Sequence, residues 1–351
     1  MRTGKVLENR LRDWAAARGY GLTIAGTGVI EAVRKKLKER EDAGMIDPGF
    51  YRENLGSFRY LDGSAIAGPK CIVMVAVPSP IHVLPLTVGG RKIDALIPPT
   101  YVRYNKTFVD VLADMKGNAL GNDAEAEILK APLKSLAVHM GLVSYGRNNI
   151  TYAPGLGSGH QLCGYVVGME GKPVVAGESK GGPEAAGLPA SDAMRAVMDI
   201  ADWRETMLER CADCRACIKA CPTGAIREDR FLISAERCFT YFSESRKSFP
   251  LWARTPRSIC LIGCMACQQV CPENKGRLKT ESSGVEFTAE ETEAVLAAGR
   301  RLGVDGNEGG DAGEGVMCAA LESARAKFDE LGMSEDLELM GRNLKCFLNR
   351  R

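Results

Sequence analysis

This chain of 351 residues is short of three things. No apolar run approaches the 18 or so residues that a membrane-crossing helix needs, so no bilayer partner is expected. No charge of one sign dominates: 46 basic side chains face 44 acidic ones, for a net charge of +2. That balance provides no strong field for non-specific nucleic-acid binding, while leaving a specific RNA substrate open. A dinucleotide fingerprint is also missing, because GLGSG at 155–159 does not fit G-x-G-x-x-G. The start, MRTGKVLENRLRDW, is charged throughout and is unlike a secretory signal, so the expected location is cytoplasmic. With 45% hydrophobic and 26% charged residues, the rest is ordinary for a globular protein.

Cysteine is what the chain has in excess. There are 13, and nine lie between Cys211 and Cys271, eight of them in two stretches, CADCRACIKACPTGA and CLIGCMACQQVCPEN. A disulfide framework belongs to short secreted chains, so the clustering points to metal. Cys211, Cys214, Cys217 and Cys221 follow C-x2-C-x2-C-x3-C-P, the bacterial ferredoxin spacing for a 4Fe–4S cluster. Three thiolates two residues apart on a tight loop reach three irons of one cubane, and the fourth is directed to the other cluster. The second stretch, Cys264-x2-Cys267-x3-Cys271-Pro272, repeats the pattern without its first cysteine. Cys238 in RCFTYF and Cys260 in RSIC are the two candidates to replace it. Zinc takes four ligands, usually as two CxxC pairs, and leaves neither the number of thiols nor the prolines explained. Cys71, Cys163, Cys318 and Cys346 are scattered and read as buried structural thiols.

The remaining sequence is mixed α and β. Helices are predicted at Lys5–Arg18, Val29–Ala43, Arg103–Met115 and Glu125–Met140, the last possibly in two pieces at Pro132. GYGLTIAGTG reads as a short strand and turn, and CIVMVAVPSP (71–80) as a buried strand. Short β-prone runs such as QLCGYVVG and KPVVAG follow. A Gly-, Ala- and Pro-rich loop at 179–189 and a helix at 192–209 lead into the cysteines. Beyond them, Thr288 and Glu291 form a capping-box pattern for a helix reaching about Leu302. A glycine-rich acidic loop (303–315) and two helices near 317–331 and 335–349 complete the chain.

CADCRACIKACPTGAI, then RCFTYFSES, then IGCMACQQVCPENK, in that order, resembles the epoxyqueuosine reductases and their relatives, the corrinoid-dependent reductive dehalogenases. LAVHMGLVSYGRNNITYAPGLGSGHQLCGYVVG, CIVMVAVPSP and TYVRYNKTFVDVL extend the likeness upstream. The resemblance implies a nitroreductase-like α/β domain over 1–203, a ferredoxin-like module for two 4Fe–4S clusters over 204–280, and a helical extension over 281–351, an α+β fold overall. It also selects Cys238 over Cys260. Cluster one then takes Cys211, Cys214, Cys217 and Cys271, and cluster two Cys221, Cys238, Cys264 and Cys267. A cobalamin is implied in the first domain, lined by Arg147, Gly157, Ser158, Gly159 and His160, with His160 also considered as an axial ligand. Tyr101, Tyr104 and Glu127 are the implied proton donors. Electrons would come from a low-potential donor such as ferredoxin or flavodoxin and pass to a small molecule, a tRNA or a corrinoid protein. Two rival readings are an electron-transfer or activating protein without its own small-molecule substrate, and the same fold carrying a flavin.

Overall fold

The computed structural model describes residues 2–68, 70–168, 207–247, 249–250, 252, 259–300, 314–333 and 337–348. The run KPVVAG, the loop at 179–189, nearly all of the helix at 192–209 and of the acidic loop at 303–315 lie outside them. In chain order the main elements are α1 (Arg2–Ala17), β1 (Gly21–Gly26), α2 (Gly28–Asp42), β2 (Lys70–Pro78), β3 (Ile81–Val88) and β4 (Arg91–Ile97). Next come α3 (Tyr104–Met115), β5 (Ala126–Ile128), α4 (Leu133–His139), β6 (Ser144–Tyr145), β7 (Thr151–Tyr152) and β8 (His160–Gly168). The cysteine region holds α5 (Ala216–Ala220), α6 (Phe239–Ser243) and α7 (Ala266–Gln269). The chain ends with β9 (Thr280–Ser282), α8 (Ala289–Arg300), α9 (Glu314–Glu330) and α10 (Leu337–Leu348).

These elements form two units that are interleaved along the chain. The first comprises Met1–Ser79, Asn105–Cys214 and Glu228–Leu232; the second comprises Pro80–Tyr104, Arg215–Arg227 and Ile233–Arg351. The first unit is built on an antiparallel sheet of order β1-β2-β8-β5. Residues Ile72 to Ala76 of β2 are fully buried. Ile72, Met74 and Ala76 pack with Ile30, Val33 and Leu37 of α2 and Leu136 of α4, whereas Cys71, Val73 and Val75 pack with Leu11 and Trp14 of α1 and Phe108 and Val111 of α3. Cover on both faces explains why the strand reads as one unbroken apolar run rather than an alternation.

The expected helix over Glu125–Met140 is corrected here. Ala126–Ile128 is a strand pairing antiparallel with Tyr165–Val167, and only Leu133–His139 is helical, following Pro132. Pro132 has no N–H for a helix running through it, and the chain turns there instead.

The second unit holds a hairpin, β3–β4, extended by β9 parallel to β3. Its turn is Gly89–Gly90, both at positive φ (54° and 75°), as a two-residue hairpin turn whose twist matches the strands requires. The free edge of β4 pairs onward: Leu96 N–H donates to Ile259 O (2.6 Å) and Leu261 N–H to Leu96 O (2.9 Å). Leu84, Leu86, Ala95 and Ile97 of the hairpin share a core with Leu261 and Ile262 and with Val295, Phe328, Met340 and Leu344 of the three C-terminal helices. The predicted capping box forms: Thr288 N–H donates to Glu291 Oε2 (2.8 Å) and Glu291 N–H to Thr288 Oγ1 (3.2 Å). No helix among the described residues is long and apolar enough to cross a membrane.

Candidate iron–sulfur centres

The eight cysteines predicted as ligands are all free thiols, most of them neither fully buried nor fully exposed. Their backbone settings repeat. Cys217 and Cys267 are each the second residue of a short helix, α5 (ACIKA) and α7 (ACQQ), and these helices lie side by side. Each helix is followed by a cysteine in extended conformation, Cys221 (φ −65°, ψ 115°) and Cys271 (φ −74°, ψ 123°), with proline next. The proline ends the helix and fixes the exit of the chain. Cys238 has the same extended conformation (φ −67°, ψ 130°) at the N-cap of α6.

Among the described residues no three His, Cys, Asp or Glu side chains converge on a single metal ion. A cubane makes a different demand, since its four thiolates are spread over four irons. Two thiols have shifted acidities with identifiable causes. Burial pushes Cys221 up, but N–H groups of Thr223, Ile226 and Ala225 and the Thr223 hydroxyl outweigh it and hold the thiol below its ordinary value. Burial raises Cys238, and the nearby Cys221 adds to this, against donors from Thr240 and Tyr241. Cys221 and Cys238 are therefore electrostatic neighbours. Cys260 is buried in an apolar cluster with Ile81 and Met265, its backbone bridges to Leu96, and, like Cys238, it acts electrostatically on Tyr101. Cys71 and Cys163, pushed up to about 11 and about 12 by burial, lie in the core beneath the first sheet.

In the first unit, Arg147 is buried and its guanidinium donates to Cys211 O (2.8 and 3.2 Å) and Ala212 O (3.3 Å). It is thus a brace for the start of the cysteine loop. His160 is 4% exposed, with Nε2 on Thr151 Oγ1 (3.1 Å) and Nδ1 on Gly157 O (3.0 Å). Both ring nitrogens are engaged, so neither is presented to a metal. Burial takes its pKa down to about 4. Gly157 N–H and Gly159 N–H donate to Ala153 O and Leu156 O, and Ser158 is buried. Four of the five residues named for a corrinoid, Gly157, Ser158, Gly159 and His160, thus lie in a closed, internally bonded turn. His160, with both ring nitrogens engaged, does not fit the role of axial ligand.

The named proton donors stand in three settings. Tyr101, in the second unit, donates its hydroxyl to Glu244, and its ring lies against Gly263. Burial, then Glu244, hold its phenol well above the ordinary value, so it stays protonated. Tyr104 opens α3 and is 44% exposed. Glu127 lies on edge strand β5, where its carboxylate accepts from Ala65 N–H (3.2 Å).

Sequence reasoning missed Ser243, Arg342 and Asn343. Arg342 is 0% exposed. It donates to Phe242 O (2.8 Å), Ser245 O (2.8 Å), Lys247 O (2.7 Å) and Asn343 Oδ1 (2.9 Å). Asn343 Nδ2 donates to Ser243 O (2.9 Å) and Leu261 O (3.1 Å). Ser243 Oγ accepts from Gly263 N–H (2.8 Å). The pair sits in LELMGRNLKCFL among other charged residues, Glu338 and Lys345, so the sequence offered no distinct signal for it.

The repeated helix–cysteine–proline geometry defines a ferredoxin-type module, and residues 210–274 match the family described as a 4Fe-4S double cluster binding domain. Relatives that match it in sequence include epoxyqueuosine reductases. The chain is 42% identical over 67 residues to that of Francisella cf. novicida and 39% identical over 69 residues to that of Bacillus subtilis. Those alignments cover 19% and 20% of this chain and 18% of each relative's length. The fold is shared more widely. The structure of epoxyqueuosine reductase from Streptococcus thermophilus superposes with a TM-score of 0.60 over 97% of this chain and 80% of that one, at 19% identity. An epoxyqueuosine reductase with an epoxyqueuosine-modified tRNA-Tyr stem loop gives a TM-score of 0.50 at 18% identity, over 95% of this chain and 84% of that one.

Proposed function

We propose that this chain is an iron–sulfur oxidoreductase that passes low-potential electrons through two 4Fe–4S clusters to a cobalamin held by its N-terminal half. The chemistry would be reduction of the kind carried out by the epoxyqueuosine reductases. The observation that carries this reading is the set of unbridged thiols at matching helix–proline junctions, inside a segment that matches the double-cluster family. The ligand sets are Cys211, Cys214, Cys217 and Cys271 for one cluster and Cys221, Cys238, Cys264 and Cys267 for the other. The proximity of Cys238 to Cys221 and the apolar burial of Cys260 support the choice of Cys238. N–H groups around Cys221 supply the hydrogen bonds to sulfur that tune such clusters.

Cobalamin and the nitroreductase-like character of the first unit rest on the likeness to the reductases, with the antiparallel sheet flanked by helices in support. When bound, the corrinoid supplies the two-electron reducing chemistry. Its surroundings here would include backbone and packing surface, because both ring nitrogens of His160 and the Nε and Nη2 groups of Arg147 are already engaged. Tyr101, Tyr104 and Glu127 are the proposed proton donors; Tyr101, protonated at neutral pH, has the right form for the task. The neighbour solved with a tRNA stem loop supports a tRNA as the substrate class. A ferredoxin- or flavodoxin-like donor is proposed to feed the clusters.

Iron and sulfide analysis of anaerobically prepared protein is expected to give about eight of each per chain. Cys238→Ala should lose about half of both, and Cys260→Ala neither. A wild-type content of about four irons or fewer, or full loading of Cys238→Ala, overturns the ligand sets. Visible spectra after incubation with hydroxocobalamin should show retained corrinoid bands; flavin bands in the purified protein would favour the rival cofactor.

A further inference from the structure

The C-terminal helices lie outside the double-cluster segment, yet α10 sends two side chains into its loops. Arg342 gathers the carbonyl of Phe242, in the last turn of the short helix α6, and those of Ser245 and Lys247 in the loop that follows it. A guanidinium with several donors can tie a helix end to its exit loop in this way. α6 is only five residues long and begins directly after Cys238, so fixing its end also fixes that cysteine at its start. Asn343 uses one amide group to tie Ser243 O to Leu261 O. The first carbonyl follows Cys238 by five residues, and the second precedes Cys264 by three. Ser243 closes the loop from the other side by accepting the N–H of Gly263, the residue before Cys264.

This device is costly. Arg342 is fully buried, and among the described residues no carboxylate is hydrogen-bonded to it; its guanidinium lies 4.5 Å over the Phe249 ring and donates to carbonyl oxygens. Burying a guanidinium costs several kcal/mol before hydrogen bonds offset it. An apolar residue of similar volume would fill the same core without that cost. What it would not do is hold two cysteine-bearing loops, distant in sequence, in fixed register.

We infer that Arg342, Asn343 and Ser243 are positioning residues for the second iron–sulfur centre, holding the segments that carry Cys238 and Cys264 in register before iron arrives. The inference rests on the two-cluster reading. It assigns the C-terminal helices to assembly of the centre rather than to substrate.

The test uses full-length protein, stripped of iron by a chelator and reloaded anaerobically with ferrous iron and sulfide. Wild type, Asn343→Leu and Arg342→Met are compared by iron content, by the spectrum of the dithionite-reduced state in electron paramagnetic resonance, and by far-ultraviolet circular dichroism. Both variants should keep a wild-type dichroism spectrum, take up about half the iron, and give the single-cluster resonance of Cys238→Ala. Full iron with a wild-type resonance spectrum in both overturns the inference. If both fail to fold, Ser243→Ala decides, since it removes only the hydroxyl, with its bonds to Gly263 N–H and Thr240 O, and little packing. It should lose iron to chelator several-fold faster than wild type, and an unchanged rate overturns the inference. Failure of the underlying reading looks different: wild type itself would then load about four irons or fewer.

Discussion

At the scale of single residues, the most constrained position beside the second centre is Gly263. Its φ of +70° is in the left-handed region, and a Cβ there would stand 2.7 Å from the Tyr101 hydroxyl. Gly263→Ala is expected to destabilise the protein by about 1–3 kcal/mol, read from urea unfolding. Adding Tyr101→Phe removes the clashing oxygen and should recover part of the loss. An additive double mutant would show that the hydroxyl is not the obstacle. Residues of this kind divide into the legible and the illegible. The cysteine stretch was legible because its spacing on short loops is the ferredoxin pattern, and residues 210–274 match the double-cluster family. Arg342 and Asn343 were not, because their partners lie about a hundred residues away and nothing local in the sequence joins them. Arg147 was named for a corrinoid, and its guanidinium also braces the backbone of Cys211 and Ala212, a role that the sequence did not announce.

At the scale of elements, the C-terminal helices show how closely backbones can approach. A Cβ on Gly341 would meet Val295 O at 2.0 Å, and one on Gly299 would meet Arg342 N at 2.2 Å, so α8 and α10 touch backbone to backbone. Gly341→Ala is therefore expected to lower the melting temperature, although alanine is the better helix former by about 1 kcal/mol. Gly28→Ala is the contrast. Gly28 opens α2 with open space around its missing side chain, and its replacement should be neutral or stabilising. A Gly341→Ala protein as stable as wild type would contradict the close crossing. Elements were readable where one local rule decided them. The Thr288–Glu291 box set the start of α8, and the apolar run set β2. They were misread where two rules competed, as over Glu125–Met140, where apolar spacing suited a helix but Pro132 and pairing with β8 divided it. The hairpin β3–β4 passed unread even though Gly89–Gly90 between β-prone runs announces it.

At the scale of the whole molecule, all three histidines have one sign of effect. His82, His139 and His160 are each held below the ordinary value of 6.5 by burial, His160 to about 4. The unfolded chain takes up protons below pH 6.5 that the folded chain refuses. Their contribution to stability is thus complete above pH 6.5 and is lost as the pH falls toward 4. For His160 the loss is on the order of 3 kcal/mol, with smaller shares from the other two. Unfolding free energies measured across this range should fall with pH, and His160→Gln should flatten the slope relative to wild type. Equal slopes would mean that His160 titrates normally in the folded state. The sequence reading set the domains in series along the chain; the two compact units are interleaved, with hairpin 81–97 and the C-terminal helices sharing one core with Leu261 and Ile262.

That interleaving bears on how the metal-binding stretch can be inherited or engineered. The edge of β4 supplies hydrogen bonds at Leu96 from more than a hundred residues upstream of the second cysteine repeat, and α10 supplies Arg342 and Asn343 from downstream. Residues 210–274 are therefore not a detachable cassette. Transplanted alone, they arrive without the splints on either flank, and a working graft has to carry the hairpin and the tail as well.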